Sequence, residues 1–385
     1  MLKAENLSRR VRQYRLQKRW TQAMLAEKLY VTPQTISKWE MGMAVPDIPN
    51  LCRLAEVLGV STDGLLSTEV VQPLYIGIDG GGTKTAYVLC NGEGQVLRSL
   101  IQAGTNPNDH GIEVCVDRLL KALADLTAGF DGVAAISAGI AGCGLDHNRL
   151  LLQQRLEAYY PSVRISVCSD IDNVILCHFD RADTPCIAAI CGTGSVVFAK
   201  DRKQRHRIGG WGYLLDGSGS GYDIGRDALT AVLAVYDGCG ETTSLKTAIE
   251  KQLGGTLPDR LHTVYEGGKR LIASFAKLVF AECESGDPVA EQIIRKNMEG
   301  FAGRILQADK QFDVEKTVLL GGGVLHDSRM VERWLSPLLP LNMKVLLSEL
   351  PPVYGACKAA VLTAGALSPD FSTRFAESYT KEVFP

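Results

Sequence analysis

The chain has 385 residues, with 41 basic and 43 acidic side chains and a net charge of −2. Its hydrophobic content of 46% and charged content of 22% are typical of globular proteins and exclude a disordered or fibrous chain. No apolar run approaches the roughly 18 residues that a membrane-spanning helix needs, and the first residues lack the apolar core of a secretory signal. The eleven cysteines include no Cys-x-x-Cys spacing, which indicates reduced, buried thiols. We therefore expect a cytoplasmic protein of two or three domains with no membrane partner.

The charge is divided unevenly along the chain. Residues 1–68 carry ten basic and six acidic side chains, a net of +4, whereas the rest carries 31 and 37, a net of −6. A basic segment on an acidic body favours contact with a polyanion through the N-terminal segment alone, although a solvated helix face would give the same charge.

The first 67 residues have helical apolar periodicity. Thr21 is a candidate N-cap for a helix over 22–29, and Thr32 begins a second helix over 34–41. Two short helices joined by a turn of three to four residues predict a helix-turn-helix motif, with a further helix over 50–58 completing the bundle.

The run TQAMLAEKLYVTPQTISKWEMGMAVPDIPNLCRLAEVLGVSTDGLL resembles the Cro/lambda-repressor (XRE) type of DNA-binding domain. This resemblance implies that the second helix of the motif lies in the major groove of operator DNA and that the protein acts as a homodimer on paired half-sites. Tyr30 departs from the family pattern, in which Gly or Asn usually occupies the turn. The implied base-facing residues are Pro33, Gln34 and Lys38; Gln22 and Thr35 resemble phosphate contacts, with Arg10 and Lys18 as further electrostatic candidates.

An internal repeat follows the first domain. Short apolar runs and glycine turns predict the order βββαβα over 75–168, and a similar order begins at Cys186. Two such halves predict a two-lobed α/β molecule with a cleft, in which the last helix could return to the first lobe. The predicted segments are a DNA-binding domain at 1–67, a linker at 68–73, lobes at 74–184 and 185–367, and a tail at 368–385.

Three glycine-rich turns follow predicted strands. Consecutive glycines allow backbone N–H groups to approach an anion without obstruction by a Cβ atom. The turn at 79–85 adds a hydroxyl and an ammonium group, and Asp79 could hold Mg²⁺ through water. The turn at 192–195 forms a second phosphate cradle, and the turn at 321–323 could admit the sugar and base of a nucleotide. None of them is a Walker A motif.

The motifs IGIDGGGTKTAYVL, TNPNDHG, SDIDN, CGTGSVVFA, GGWGYLLDGSGSGYDIGRDAL, LLGGGV and PPVYGACKAA resemble the BadF/BadG/BcrA/BcrD ATPase family, and within it the N-acetylglucosamine kinase branch. The resemblance implies an all-α helix-turn-helix domain followed by a two-lobed α/β fold of the actin-like and sugar-kinase type. It implies transfer of the γ-phosphoryl group of ATP, with Mg²⁺, to a hydroxyl of an amino sugar.

The resemblance also assigns site residues. Asp170 matches the carboxylate that accepts the proton of the attacking sugar hydroxyl, with Asp172 as a competing candidate. Asp170 could also cap the helix that follows it. The implied ATP-binding residues are Gly81, Gly82, Thr83, Lys84, Gly192, Thr193, Gly194, Gly321, Gly322 and Gly323. The implied sugar-binding residues are Asn106, Asp170, Ser195, Gly210, Trp211 and Asp216.

One motif departs from the family. Where the family usually has Leu-Gly-Asp-Glu-Gly-Ser-Gly, this chain has Leu-Asp-Gly-Ser-Gly-Ser-Gly over 215–221. Asp216 could replace the missing sugar-binding Asp, or the contact is lost.

A kinase fused to a DNA-binding domain is the leading hypothesis. The altered motif favours the alternative, a non-catalytic transcription factor that senses a sugar or nucleotide. A third class, the ATPase activators of dehydratases and reductases, needs a cysteine arrangement that the spacing here does not supply.

Overall fold

The computed structural model describes residues 4–18, 20–66, 72–144, 146–200, 205–311, 317–326, 328–365 and 367–379. The predicted linker at 68–73 and the end of the predicted tail lie largely outside these residues. The chain forms two compact units. The first comprises Met1–Ser169 together with Ala356–Pro385, and the second comprises Asp170–Gly355.

The first unit begins with five helices: α1 (Ala4–Gln17), α2 (Gln22–Leu29), α3 (Pro33–Glu40), α4 (Ile48–Leu58) and α5 (Thr62–Leu66). Side-chain caps determine where α2 and α3 begin, as predicted. The hydroxyl of Thr21 accepts a hydrogen bond from the Met24 N–H at 3.1 Å, and that of Thr32 accepts one from the Thr35 N–H at 3.2 Å. Helix α3 starts one residue earlier than predicted, because proline suits the first helical position.

These helices enclose a small apolar core of their own. Its fully buried side chains include Val11, Leu25, Leu29, Ile36 and Leu54. This arrangement confirms the predicted helix-turn-helix bundle.

The turn between α2 and α3 has a left-handed residue. Tyr30 ends α2 with φ at 57°, a conformation that favours glycine, and its side chain is 88% exposed. This is the position at which the sequence departs from the family pattern, and the local geometry of the turn is kept despite the departure.

A five-stranded sheet forms the rest of the first unit. Its elements are β1 (Leu74–Gly80), β2 (Lys84–Asn91), β3 (Val96–Ala103), α6 (Pro107–His110), α7 (Ile112–Thr127), β4 (Val133–Ile140), α8 (Asp146–Tyr159) and β5 (Arg164–Cys168). The strand order is β3-β2-β1-β4-β5. The first three strands are antiparallel, whereas β4 and β5 run parallel to β1, so the strand ends at Gly80 and Ile140 share one edge.

The second unit repeats this topology around a larger core. Its elements are α9 (Asp170–His178), β6 (Cys186–Cys191), β7 (Ser195–Lys200), β8 (Arg205–Gly209), α10 (Gly221–Tyr236), α11 (Leu245–Leu253), α12 (Leu261–Ser274), α13 (Ala276–Glu284), α14 (Pro288–Gln311), β9 (Thr317–Gly321), α15 (Ser328–Trp334) and β10 (Lys344–Leu347). The strand order is β10-β9-β6-β7-β8, the same arrangement as in the first sheet. The predicted duplication is therefore confirmed, and helices α10–α14 are inserted between the third and fourth strands of the repeat.

Two last helices take the chain back to the first unit. They are α16 (Pro352–Leu362) and α17 (Phe371–Ser378). Helix α16 packs closely against β1 at Gly77. A side chain at this position would prevent the contact, because its Cβ would lie 2.9 Å from the Cα of Cys357. Helix α17 packs through buried Phe371 and Phe375 and accepts a hydrogen bond from the Val96 N–H to Ser378 Oγ at 2.8 Å.

Two general expectations can be compared with the described residues. Among them no helix is both long and apolar enough to span a membrane. All eleven cysteines are free, and the expected burial holds for seven of them; Cys168 and Cys177 are half-buried, and Cys52 and Cys239 are exposed.

Candidate functional site

The residues predicted to meet DNA lie along α3, with Pro33 and Gln34 in its first turn and Lys38 in its last. Pro33, Gln34 and Lys38 are exposed, and Thr35 is half-buried. The hydroxyls of Thr32 and Thr35 are 2.9 Å apart, so Thr35 is held at the start of the helix. Pro33, Gln34 and Lys38 are therefore accessible from solvent, and the first two lie at a helix N-terminus, where backbone N–H groups favour anions.

A buried ion pair connects α1 to the end of α3, the helix that carries these residues. Arg15 Nε and Nη2 donate to the two carboxylate oxygens of Glu40 at 2.5 and 2.8 Å, and Gln22 Nε2 donates to the same carboxylate at 2.9 Å. Burial alone would raise the pKa of Glu40, but the hydrogen bonds from Arg15 and Gln22 outweigh it and lower the pKa. The amide of Gln22, a predicted phosphate contact, thus also ties α2 to α3.

One of the additional basic candidates does not face solvent. Arg10 is 4% exposed, and its guanidinium donates to the carbonyl of Gly64. The structure therefore gives Arg10 a role inside the domain. In the sequence, a basic residue on the buried face of a helix cannot be distinguished from one on the exposed face. The burial of Arg10 was therefore not predicted.

The first predicted phosphate turn joins β1 to β2. It is closed by a hydrogen bond from the Gly81 N–H to the Lys84 carbonyl at 2.9 Å, and the Thr105 N–H donates to the Gly81 carbonyl at 3.0 Å. Gly80 must lack a side chain, since a Cβ would lie 2.6 Å from Thr105 Oγ1. Asp79 is half-buried at the end of β1, and Thr83 is half-buried while Lys84 is exposed.

The predicted sugar-binding Asn106 lies in the same unit, at the start of α6. Its side-chain oxygen accepts a hydrogen bond from the Asn108 N–H at 3.0 Å, and its Nδ2 donates to Asp109 Oδ2 at 3.0 Å. His110 Nε2 lies 3.1 Å from the carbonyl of Gly82. Helix α6 is therefore connected to the glycine turn, which brings the predicted phosphate and sugar residues of this unit together.

The second unit brings its two glycine turns together. Gly192, between β6 and β7, faces the turn after β9: a Cβ on it would lie 3.9 Å from the Cα of Gly322. Gly322 has φ at 101° and lies against the carbonyl of Cys191, so its place in the turn requires glycine. The sequence predicted that both turns contact the nucleotide, but it did not predict that they lie next to each other.

A helix N-terminus points into the same place. The Gly221 N–H donates to the Gly192 carbonyl at 2.7 Å, and the Tyr222 N–H to the Thr193 carbonyl at 3.3 Å. A capping box starts α10, with Ser220 Oγ accepting from the Asp223 N–H and Asp223 Oδ2 accepting from the Ser220 N–H. These contacts take up the first N–H groups of α10 and fix the helix start against the glycine turn, so the turns themselves are the candidate environment for phosphate groups.

The two candidate carboxylates at the start of α9 differ in their surroundings. Asp172 is 5% exposed; Lys200 Nζ lies 3.3 Å from its Oδ1, and Arg205 donates to the same oxygen. Asp170 is half-buried and accepts a hydrogen bond from the Ile171 N–H at 3.1 Å. Lys200 and Arg205 thus pair with Asp172 and neutralise its charge, whereas the Asp170 carboxylate lies at the first position of α9.

The loop over 209–219 has an unusual backbone. Gly209, Gly210, Gly212 and Gly219 all have positive φ angles, and so does Ser218 at 110°. A non-glycine residue in this region is strained, and such residues are concentrated at functional sites. Trp211 at the tip of this loop is 63% exposed, and the guanidinium of Arg207 lies 3.8 Å from its ring centroid.

Asp216 holds this loop together. Its Oδ2 accepts hydrogen bonds from the N–H groups of Gly210 and Trp211, the latter at 3.2 Å. Its Oδ1 accepts a hydrogen bond from Arg304 Nη2 at 2.5 Å. Both carboxylate oxygens therefore have donors within the unit.

Arg304 in α14 was not foreseen from the sequence. Besides Asp216, it donates to Ser195 Oγ at 2.9 Å and to the carbonyl of Gly217 at 2.7 Å. It follows no recognisable motif, and many residues separate it from the loop. No signal in a single sequence could have identified it.

Comparisons with known proteins agree with this architecture. The family model for the BadF/BadG/BcrA/BcrD ATPase family matches residues 76–362, and a helix-turn-helix family model matches residues 11–65. An N-acetylmuramic acid/N-acetylglucosamine kinase of Clostridium acetobutylicum is 29% identical over 229 residues, which cover 57% of this chain and 74% of that protein.

Two solved structures resemble the fold. One is named as a candidate N-acetylglucosamine kinase from Chromobacterium violaceum; it has a TM-score of 0.62 and 24% identity, and the match covers 76% of this chain and all of that one. The other is a ROK family transcriptional regulator described as a homologue of the Escherichia coli MLC protein. It has a TM-score of 0.50 and 15% identity, and the match covers 97% of this chain and 99% of that one.

The family model spans most of the chain, and both sheets of the repeat lie within it. The chain therefore belongs to the BadF/BadG/BcrA/BcrD ATPase family and has a helix-turn-helix domain at its N-terminal end.

Proposed function

We propose that this protein is an ATP-dependent amino-sugar kinase whose helix-turn-helix domain regulates transcription in response to the sugar. The observation that carries the proposal is the meeting of the glycine turns at 192–194 and 321–323 beside the capped start of α10. Family membership and the kinase relative support the same reading.

In the proposed reaction, Asp170 accepts the proton from the sugar hydroxyl as its oxygen bonds to the γ-phosphorus of ATP. The bond from the γ-phosphorus to the β–γ bridging oxygen breaks, and ADP leaves. The family resemblance assigns phosphate contacts to Thr83 and Lys84 at the glycine turn of the first unit and to Thr193 at that of the second.

The carboxylate at the end of β1 suits a hydrated magnesium ion. Asp79 is half-buried next to the glycine turn. In proteins Mg²⁺ usually keeps several of its bound waters, and a carboxylate can hold the ion through one of them. When bound, Mg²⁺ would neutralise phosphate charge. The family resemblance assigns sugar contacts to Asn106 in the first unit and to Ser195, Gly210, Trp211 and Asp216 in the second.

A second candidate function is a sensor without turnover. The hydrogen bonds of Asp216 to its own loop favour it, since they engage the carboxylate that was expected to bind the sugar. The match of nearly the whole chain to a transcriptional regulator also favours it. In this alternative the sugar or nucleotide changes operator binding, and no phosphate is transferred.

ADP release distinguishes the two functions. The full chain is incubated with ATP, Mg²⁺ and a panel of amino sugars that includes N-acetylglucosamine and N-acetylmuramic acid. The kinase predicts sugar-stimulated ADP release that Asp170→Asn reduces at least about 100-fold, the usual contribution of a general base. Asp183→Asn, at an exposed carboxylate that pairs with Arg181, is the matched control and should retain activity.

Two results would contradict the kinase. One is full activity in Asp170→Asn. The other is an absence of sugar-stimulated release together with a ligand-dependent shift in DNA binding, which would establish the sensor instead. DNA binding itself is tested with DNA selected from a random pool, where Gln34→Ala and Lys38→Ala should weaken binding.

A further inference from the structure

Arg304 in α14 connects this helix to two other segments of the second unit, the start of β7 and the loop over 209–219. It reaches Ser195 at the start of β7, Asp216, and the carbonyl of Gly217. Through Asp216 it also acts on the N–H groups of Gly210 and Trp211. Four of the predicted sugar-binding residues therefore depend on the position of one guanidinium group.

The backbone is shaped to admit this side chain. Gly209 has φ at 72°, and a Cβ there would lie 2.9 Å from Nη1 of Arg304 and 3.0 Å from its Cζ. The side chains of Arg304 and Asp216 are only 13% and 14% exposed. A planar guanidinium with several donors suits this place better than a lysine ammonium, because it can serve three acceptors at once.

The charge balance of the loop follows from this pair. Gly217 and Ser218 stand where the resemblance predicts an acidic pair, and Asp216 is neutralised by Arg304. The loop carries no carboxylate other than Asp216. Its contribution to a ligand would therefore come from the backbone and the exposed ring of Trp211. The hydroxyl of Ser195 is itself engaged, since it donates to the Ser218 carbonyl at 3.0 Å and accepts from Arg304.

We propose that Arg304 is a positioning residue that holds Asp216, Ser195 and the backbone of Gly210 and Trp211 in the arrangement that receives the sugar. This inference rests on the proposed function. Arg304 acts through Asp216 and Ser195, and its effect is on the binding of the sugar rather than on that of ATP.

The test compares Arg304→Met and Arg304→Lys with Arg295→Met in the full chain. Arg295 lies on the same helix in a half-exposed pair with Glu291, so its variant controls for loss of a guanidinium from α14. Arg304→Met should raise the KM for N-acetylglucosamine at least about tenfold, as expected for loss of charge-assisted contacts, and leave the KM for ATP within about twofold. Arg304→Lys should fall between Arg304→Met and the unchanged protein.

A second readout needs no turnover. Acrylamide quenching of Trp211, taken as the difference between each protein and its Trp211→Phe counterpart, should increase in Arg304→Met and not in Arg295→Met. If Arg304→Met does not fold, Asp216→Asn should show the same two effects.

The outcomes separate the two proposals. If no amino sugar binds by calorimetry while quenching changes only in the Arg304 variants, the proposed function fails and the hold of Arg304 on the loop is supported. If sugar affinity and Trp211 quenching in Arg304→Met equal those in Arg295→Met, the positioning role is refuted.

Discussion

Arg15 in α1 and Glu40 at the end of α3 form a two-pronged ion pair inside the helix-turn-helix domain, with N–O distances of 2.5 and 2.8 Å. Their side chains are 9% and 3% exposed, so neither charge is well solvated. The same guanidinium donates to the carbonyl of Trp20 at 2.7 Å. The pair fixes the helix that is predicted to read DNA against the first helix.

Loss of this pair should destabilise the domain. Glu40→Gln leaves Arg15 buried without its counter-charge, and breaking a buried ion pair costs about 3 kcal/mol or more. We expect a lower midpoint for the unfolding transition reported by buried Trp39 and weaker DNA binding. Glu113→Gln removes an exposed partner of Arg155 and should change stability by less than about 1 kcal/mol. Equal effects of the two substitutions would contradict the prediction.

Tyr30 has a left-handed backbone that glycine would adopt at lower cost. A left-handed conformation costs a non-glycine residue about 1 to 2 kcal/mol, and the exposed Tyr30 side chain contributes little packing to offset this. Tyr30→Gly should therefore raise the free energy of unfolding by about 1 kcal/mol in denaturant titrations. Tyr30→Ala keeps the strain and should give no gain. A gain in Tyr30→Ala as large as in Tyr30→Gly would show that backbone strain is not the cause.

Ser218 and Gly300 should be energetically coupled. A Cβ at position 300 in α14 would meet the Cβ and Oγ of Ser218, whereas the Ser218 Cα would remain 3.8 Å away. Gly300→Ala alone should thus destabilise the second unit by about 2 kcal/mol through overpacking. Ser218→Gly removes the obstructing atoms and relieves a strained φ, so it should be neutral or stabilising by about 1 kcal/mol.

The double variant provides the test of this coupling. Ser218→Gly with Gly300→Ala should recover most of the stability lost in Gly300→Ala, which a double-mutant cycle in urea measures. Additive effects in that cycle would mean that the two positions do not interact.

Asp287 should make the second unit sensitive to acid. Burial would raise its pKa, but hydrogen bonds from Thr243, Ala290 and Ser244 outweigh burial and lower the pKa to about 2. Because the folded-state pKa lies below the unfolded one, this stabilisation is complete above about pH 4 and is lost as the pH falls towards 2.

A substitution isolates that effect. Asp287→Asn should lower stability at neutral pH by about 2 kcal/mol and flatten the dependence of stability on pH between about 4 and 2. Asp370→Asn, at an exposed residue that makes no side-chain cap, is the control and should leave the profile unchanged. An unchanged acid limb in Asp287→Asn would contradict the assignment.

The local features were predictable because they follow from short-range chemistry. Thr21 and Thr32 cap helices with their own hydroxyls, and glycine-rich sequences after an apolar strand produce the turns at 80–82 and 192–194. The repeat was visible for the same reason, since each half uses the same order of strands and turns. Helix ends differ from expectation by one or two residues, as where α4 begins at Ile48 rather than at the predicted position 50.

The remaining features depend on contacts between distant parts of the chain. The cations that occupy Asp172 come from Lys200 and Arg205, and the partner of Asp216 comes from α14. A basic residue such as Arg10 has the same local pattern whether it faces solvent or the core. These placements are set by tertiary packing, which local propensity and motif spacing do not encode.

The return of α16 and α17 to the first unit sets an order for folding during synthesis. The helix-turn-helix bundle can close once residue 66 has left the ribosome, because its core contains only its own residues. The sheet beside it must wait, since Gly77 and Gly94 receive Cys357 and Phe371 from a segment made after the whole second unit. The nascent chain would thus contain a folded helix-turn-helix domain and a sheet whose apolar face is still exposed to solvent. Chaperones would bind the chain at that exposed face.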